Sequence, residues 1–394
     1  LLMLFIVGVI LFQTVLAVSV GLDRQTWGDE WHFVETVRLF GDEISLTTLT
    51  KYDEMSTPLP FIMYGLWGRL VGFEIERLRL LSLLLAVATY LLLFILLSKL
   101  LDSRRSAILG TVFVIVHPYM IGFSLFVFTD MSAILFMVAA CLAMNRGRPV
   151  WFALMLAAAM LCRQYLAFVF LAAMIFFIMQ WYHHRDTMPR SMLVATVLSG
   201  LPLLLLFCLW ADVHPDNLRK QFYAAETFRY HPSAFVLYIS QLFWYLLPVV
   251  LIRWRRFYSD YRLWLVAAAV SVCYFAFPVT VSASAVEAGT HTVGLLHRSL
   301  VGLGGDAWLV SAVFYVGVLF GLPVLLSVVR DTYLRLRDRR LDYELFLDLC
   351  ILSFLLLMPF SYLTWEKYFM PLVPLGTAGF LLPHNGNPQK TRAE

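Results

Sequence analysis

Charge is scarce in this chain: only 14% of its 394 residues are Asp, Glu, Lys or Arg, while 61% are apolar and mean hydropathy is +0.78. That balance excludes an ordinary water-soluble domain. No hydrophilic stretch is long enough to fold by itself, so residues 1–394 read as a single membrane domain. Cysteine is also sparse. Cys141, Cys162, Cys208, Cys273 and Cys350 all fall inside apolar runs, without the spacing of a zinc site or the loop placement of a disulfide framework; they read as packing residues. No Gly-rich phosphate loop follows a strand-like segment, and the basic loops are short, which leaves no room for a nucleotide-binding domain. No nucleic-acid partner is expected, and no internal repeat is visible.

What the chain has in abundance is apolar runs that approach the roughly 20 residues a helix needs to cross a bilayer. Basic residues separate them in clusters at Arg104/Arg105, Arg146/Arg148, Arg185/Arg190, Arg253/Arg255/Arg256/Arg262 and Arg330 to Arg340. The positive-inside rule assigns these loops to the cytoplasm, so the runs between them must cross in pairs. Spans are expected near 1–20, 76–100, 106–124, 131–145, 149–163, 165–181, 190–210, 235–252, 262–281, 307–328, 345–363 and 369–383. The fold class is therefore all-α, a polytopic transmembrane helical bundle of about twelve spans. The first run opens without Met and reads as a retained helix with further residues upstream, not as a cleaved signal peptide. Pro58 to Gly72 is apolar but short, and crossing there would upset the charge parity. It is expected as an interfacial or re-entrant helix within a first outer loop, 21–75, that carries interfacial helices. Residues 384–394 are expected as a cytoplasmic tail. Acidic residues then collect on the outer side.

That side holds the candidates for chemistry. Asp29 and Glu30, in Trp27-Gly28-Asp29-Glu30-Trp31-His32, precede an amphipathic helix with Phe33, Val37 and Phe40 on one face and Glu35 and Arg38 on the other. A carboxylate near a helix N-terminus stays anionic and can serve as general base on a sugar hydroxyl; the plain alternative is an N-cap. Adjacent acids can also hold a divalent cation, but no second ligand cluster accompanies them. Tyr52-Asp53-Glu54, before Thr57-Pro58, is a second acidic cluster suited to acceptor hydroxyls or simply a solvated loop. Asp130 sits where the third span emerges, a costly place for a carboxylate unless it caps, pairs or works. Arg163 and Gln164 interrupt an apolar stretch and offer a planar fork and an amide to a phosphate, with snorkelling as the alternative. Late segments add Glu287, His291, His297 and Arg298, then Glu366 and Lys367. Cations there suit a phosphate leaving group, whereas two histidines six positions apart are a weak metal signal. The stretch Asp212 to His231, with Arg219, Lys220 and Arg229, suits a cap or an ordinary loop.

In this order the motifs resemble the GT-C superfamily of integral-membrane glycosyltransferases. More narrowly, they look like the α-1,2-glucosyltransferase family that uses dolichyl-phosphate glucose. The segments that carry the resemblance are Asp29-Glu30 with His32, Tyr52-Asp53 with Thr57-Pro58, Phe128-Thr129-Asp130, Arg163-Gln164, His291 with His297, and Glu366-Lys367-Tyr368. The chain departs from the pattern at Tyr165-Leu166, where the family has Thr-Asn, at Glu54-Met55, where it has a lysine, and in bringing His32 one residue nearer the acids. The resemblance implies an inverting hexosyltransferase that moves a monosaccharide from a polyprenyl-phosphate donor to an acceptor hydroxyl on the non-cytoplasmic face. In this scheme Asp29 is the base with Glu30 in reserve, and Asp130 orients acceptor or base. Arg163, Arg298 and Lys367 hold the donor phosphate, while His32, Asp53, Gln164, His291, His297 and Glu366 line the substrate site. No cofactor is expected, nor a metal. The partners implied are the polyprenyl-phosphate sugar, a glycan, lipid or protein acceptor, and membrane lipid. The implied location is a bacterial inner membrane with the site facing the periplasm or exterior. A transporter or flippase of a polar lipid is the alternative, and it would place charged or broken segments at mid-bilayer in matching halves.

Overall fold

A computed structural model describes residues 2–183, 190–217, 228–287, 289–361 and 363–383; Arg185, Arg219, Lys220 and the expected tail 384–394 fall outside that set. The described residues form helices and no strand, as the apolar composition requires: with no water to satisfy exposed peptide groups, a lipid-embedded chain must close its hydrogen bonds within each segment. The first half runs α1 (Leu2–Val20), α2 (Glu30–Asp42), α3 (Leu46–Lys51), α4 (Leu59–Val71), α5 (Ile75–Leu100), α6 (Arg104–Ile115), α7 (Pro118–Leu125), α8 (Thr129–Asn145), α9 (Pro149–Cys162), α10 (Ala167–His183) and α11 (Arg190–Trp210). The second half contributes α12 (Pro232–Trp244), α13 (Tyr261–Ser271), α14 (Leu295–Gly302), α15 (Ala307–Arg337), α16 (Tyr343–Leu357) and α17 (Leu372–Leu381), with short helices at Leu247–Ile252 and Trp254–Tyr258 between α12 and α13.

The sequence predicts about twelve crossings. Six helical segments among the described residues are long and apolar enough to span, or seven if α6 and α7 count as one span bent by 68°. The remainder are shorter or broken, for local reasons. Pro118 has no N–H to continue α6, and His117 starts the next helix by accepting from the Tyr119 N–H through Nδ1. The expected span 235–252 divides at Tyr245–Leu246, and 262–281 leaves α-helix at Ser271, passes through a 3-10 turn over Val272–Phe275 and loses regular structure before Pro278. Two cysteines also depart from expectation: Cys208 and Cys273 are exposed, whereas Cys141, Cys162 and Cys350 pack inside.

The three helices of the first loop do not lie as separate amphipathic rods. The face of α2 that carries Phe33, Val37 and Phe40 is buried, Glu35 and Arg38 are exposed, and the buried face packs on α4. Glycines let the two backbones meet: a Cβ on Gly65 would stand 2.7 Å from the Gly41 nitrogen and 3.0 Å from the Val37 carbonyl oxygen. Side chains from α5, α8 and α9 close over α4, so the loop becomes part of the core.

The chain alternates between two ends of the bundle. Thr57 donates to the Met160 carbonyl near the end of α9, and Trp210, closing α11, donates to the Leu49 carbonyl; loop one, the start of α10 and the end of α11 therefore share one end. At the other, Gln180 of α10 reaches the Leu341 carbonyl and Tyr343 the Cys141 carbonyl. Arg256, Arg330 and Arg335 gather there among Asp331, Glu344 and Asp348, and Arg253 donates to the carbonyls of Phe380, Leu381 and Leu382 where α17 runs out of internal partners.

Candidate active site

The first end collects the chemistry. Glu30, fully buried, receives the Arg79 guanidinium at 2.9 and 2.6 Å and the backbone N–H groups of Val127 and Trp27 at 2.9 and 3.1 Å. Arg79 spends its remaining donors on the carbonyls of Leu22, Arg24 and Gln25. This bidentate pair ties α5 to the loop after α1 and to the entrance of α8. Both Glu30 oxygens are thus occupied, and the side chain has no exposure to solvent.

Asp29 is different. It occupies the N-cap position of α2 but makes no capping bond. One oxygen lies 2.5 Å from the Lys367 ammonium and the other 3.8 Å from Nε2 of His32, with 38% of the side chain exposed. Burial alone would raise this carboxyl, but Lys367 and His32 outweigh it and hold it well below the usual carboxylate range. Lys367 also lies over the Trp365 ring at 5.1 Å. Contact between residues 338 positions apart is the strongest sign that the ends of the chain build one site.

Behind Asp29, the other ring nitrogen of His32 is 2.5 Å from Oε1 of Glu54, which also accepts from Thr36 at 3.3 Å. Glu54 is buried and Asp53 exposed, and of the two adjacent acids it is Glu54 that meets His32. An irregular segment gives no periodicity from which to choose between neighbours, and only the His32 contact distinguishes them. Gln164 donates to the Met55 carbonyl at 2.5 Å and meets His214 at 3.0 Å, which fixes the Glu54 segment against the start of α10.

Asp130, in the first turn of α8, is buried against Arg163 at 2.7 Å and accepts from Tyr165 at 3.0 Å. Arg163 sits in extended backbone between α9 and the 3-10 turn that opens α10. The Tyr165 ring lies 5.3 Å from that of Tyr368, next to Lys367, which links this pair to the Asp29 pair.

Glu366 organises the late loop. Fully buried, it accepts from Tyr245 at 2.5 Å, Tyr119 at 3.3 Å and the N–H groups of Leu296 and His297 at 2.8 and 3.0 Å. Burial pushes its carboxyl up despite these donors. It thereby caps α14 from outside that helix and sets Arg298 over the Trp27 ring at 5.8 Å, beside the Asp29 loop. His297, whose imidazole burial shifts toward the neutral form, faces Phe314. His291 is exposed in the preceding loop. Sequence reasoning did not single out Arg79, Tyr119 or Tyr245, and it took Glu54 only as part of an acidic cluster. Among the described residues, no group of three or more His, Cys, Asp or Glu side chains is arranged to hold a metal ion.

Residues 46–210 match the family model described as dolichyl-phosphate-mannose-protein mannosyltransferase. That stretch contains Glu54, Asp130, Arg163 and Gln164, while Asp29, Glu366 and Lys367 lie outside it. The description names a mannosyltransferase and not the glucosyltransferase family that the motif order resembles. No curated protein sequence matches the chain. Among solved structures, ArnT from Cupriavidus metallidurans in the apo state is similar over 96% of this chain and 77% of that one, at 14% identity and a TM-score of 0.45. The same enzyme bound to undecaprenyl phosphate is similar over 95% and 77%, at 12% identity and a TM-score of 0.45.

Proposed function

We propose that the chain is an integral-membrane glycosyltransferase that moves a monosaccharide, with inversion, from a polyprenyl-phosphate donor to an acceptor hydroxyl. The observation that carries this reading is the meeting of Asp29 with Lys367 at a partly open point of an otherwise buried network. A carboxylate and an ammonium in contact, partly open to solvent, supply the two things the reaction needs. The match of residues 46–210 to a mannosyltransferase family that uses a dolichyl-phosphate sugar supports the same donor class.

In this reading the acceptor oxygen attacks the anomeric carbon from the face opposite the phosphate and loses its proton to Asp29, while the bond to the phosphate oxygen breaks. Lys367 and Arg298 receive the departing phosphate. Fixed cations and donors of this kind are each worth about 3 kcal/mol in a preorganised site. Asp130 and Arg163, neutralised by one another, hold the start of α10 and with it Gln164. An apolar cleft of about 490 Å³ between α1 and α5 reaches Gly21 and Leu22 at the start of the Asp29 loop and suits the isoprenoid tail. The site faces the non-cytoplasmic side in this scheme, since the arginine cluster at the other end obeys the positive-inside rule.

The test is transfer from a radiolabelled polyprenyl-phosphate hexose by the purified chain in lipid vesicles. Asp29→Asn should slow transfer by about 100-fold or more while donor binding persists. A native chain that transfers from no such donor, yet moves a polar lipid between leaflets, would replace this reading with transport.

A further inference from the structure

A base that is clamped by an ammonium is a weak place to leave a proton. The Lys367 ammonium holds the Asp29 carboxyl well below the usual range, so Asp29 can accept the acceptor's proton in passing but has little capacity to retain it. The residue behind it is built to do so. His32 is mostly buried, with 11% of its side chain exposed, and lies between two carboxylates, Asp29 on its Nε2 side at 3.8 Å and Glu54 on its Nδ1 side at 2.5 Å. Glu54 is itself buried, so its negative charge is little screened by water.

We infer that His32, held by Glu54, receives the acceptor's proton from Asp29, so that Asp29, His32 and Glu54 form a single relay. This rests on the transferase reading above. Glu54 accepts from Nδ1–H and thereby fixes the neutral tautomer whose Nε2 lone pair faces Asp29. The acceptor O–H bond breaks as the new glycosidic bond forms, and the donor's bond to phosphate breaks with its electron pair on the leaving polyprenyl phosphate. The proton passes to Asp29 Oδ1 and then to Nε2, a step that needs the 3.8 Å gap to close by less than an ångström to reach hydrogen-bonding distance. The resulting imidazolium lies between two anions. The charged and polar groups around it include Asp29 at the cap of its own helix, Glu54 from the loop before α4 with Thr36 donating to it, and Lys367 beyond Asp29; the rings of Trp31 and Phe33 lie against it. The competing role for the same contacts is static, a buried pair that fixes α2 to the Glu54 loop.

The pH dependence of kcat separates the two roles. His32→Gln should lower kcat by about 100-fold or more with KM within about twofold, because the loss falls on the proton-transfer step and not on binding. Glu54→Gln should move the acid limb of the kcat profile down by about one pH unit, since an imidazolium without its anionic partner loses its proton more readily. Thr36→Val provides an independent sign. It removes a donor from Glu54, strengthens that carboxylate's pull on Nδ1–H, and should move the limb up by about half a unit. Folding of each variant is checked by its thermal transition, and if Glu54→Gln does not fold, the Thr36→Val limb decides. His32→Gln transferring as the native chain does, or the remaining variants slowing transfer with an unmoved limb, overturns the relay and leaves the transferase reading standing. A native chain silent toward every polyprenyl-phosphate hexose overturns both.

Discussion

Both ends of the bundle bury acids against bases, but they use different cations. At the end away from the site, Arg256 bridges Asp331 and Glu344 at 3.0 Å each, and Arg335 bridges Glu344 at 2.5 Å and Asp348. Each acid there shares a planar guanidinium that stays charged at every accessible pH. At the site end, arginine appears in the same clamping role in the Arg79–Glu30 and Arg163–Asp130 pairs, but Asp29 contacts a lysine and a histidine. Lysine is a compact charge on a flexible stem, and histidine can change charge near neutral pH. Arginine-paired carboxylates therefore read as structural, and the carboxylate left to lysine and histidine reads as the one that works.

The largest effect that can break this comparison is on rate. Asp29→Asn should reduce transfer by about 100- to 10,000-fold, whereas Arg335→Met, at the far end, should leave kcat within about twofold. If both variants lose transfer equally without unfolding, the distinction between working and clamping acids fails. Stability should show the reverse order. Arg335→Met leaves Asp348 buried without its cation, and Arg79→Met does the same to Glu30; each should cost about 3 to 5 kcal/mol in a denaturation experiment. Arg79→Met should also slow transfer, because it frees the carbonyls of Leu22, Arg24 and Gln25 that hold the Asp29 loop.

Much of this division could be read from the sequence, and the limits have physical causes. Long uninterrupted apolar runs announce α1, α5 and α11 almost to the residue, because a helix in lipid needs little beyond length and apolarity. Charged residues stranded at the edges of such runs, Asp29, Asp130, Arg163 and Lys367, stand out for the same reason. Pairing is another matter. Glu30 looks as free as its neighbour Asp29 until Arg79 arrives from a helix 49 positions away, and nothing local says that the second acid of Asp53-Glu54 is the one turned inward. The tyrosines that hold Glu366, 247 and 121 positions distant, lie in apolar stretches where an aromatic ring is the commonest of core residues. Helix breaks such as the one at Tyr245–Leu246 depend on which neighbours fill the gap, information that hydropathy does not carry.

Lys367→Met refines the comparison from the site side. Without its ammonium, the His32 imidazolium beyond Asp29 meets less repulsion, so the acid limit of transfer should move to higher pH. The loss of a cation at the leaving phosphate should lower kcat by about 100-fold. A drop in kcat with an unchanged acid limit would mean that Lys367 serves the phosphate alone.

The smallest expected effect is the most specific. Asp29 is anionic in the folded chain well below the pH at which it would protonate when unfolded, near 3.8. A carboxyl depressed in this way contributes stability that is present above the unfolded value and disappears as pH falls through the folded one. More than a third of the Asp29 side chain is open to solvent, so the Asp29–Lys367 pair should contribute no more than about 1 kcal/mol at neutral pH. The measurement is the difference in unfolding free energy between the native chain and Lys367→Met. It should stay constant from neutral pH down to about pH 5, where both states of both proteins keep Asp29 ionised, and shrink only under more acid conditions. The corresponding difference for Arg335→Met should be several times larger at pH 7, as expected of a pair built to hold helices together. Equal differences would place Lys367 among the clamps and leave Asp29 no different from Glu30.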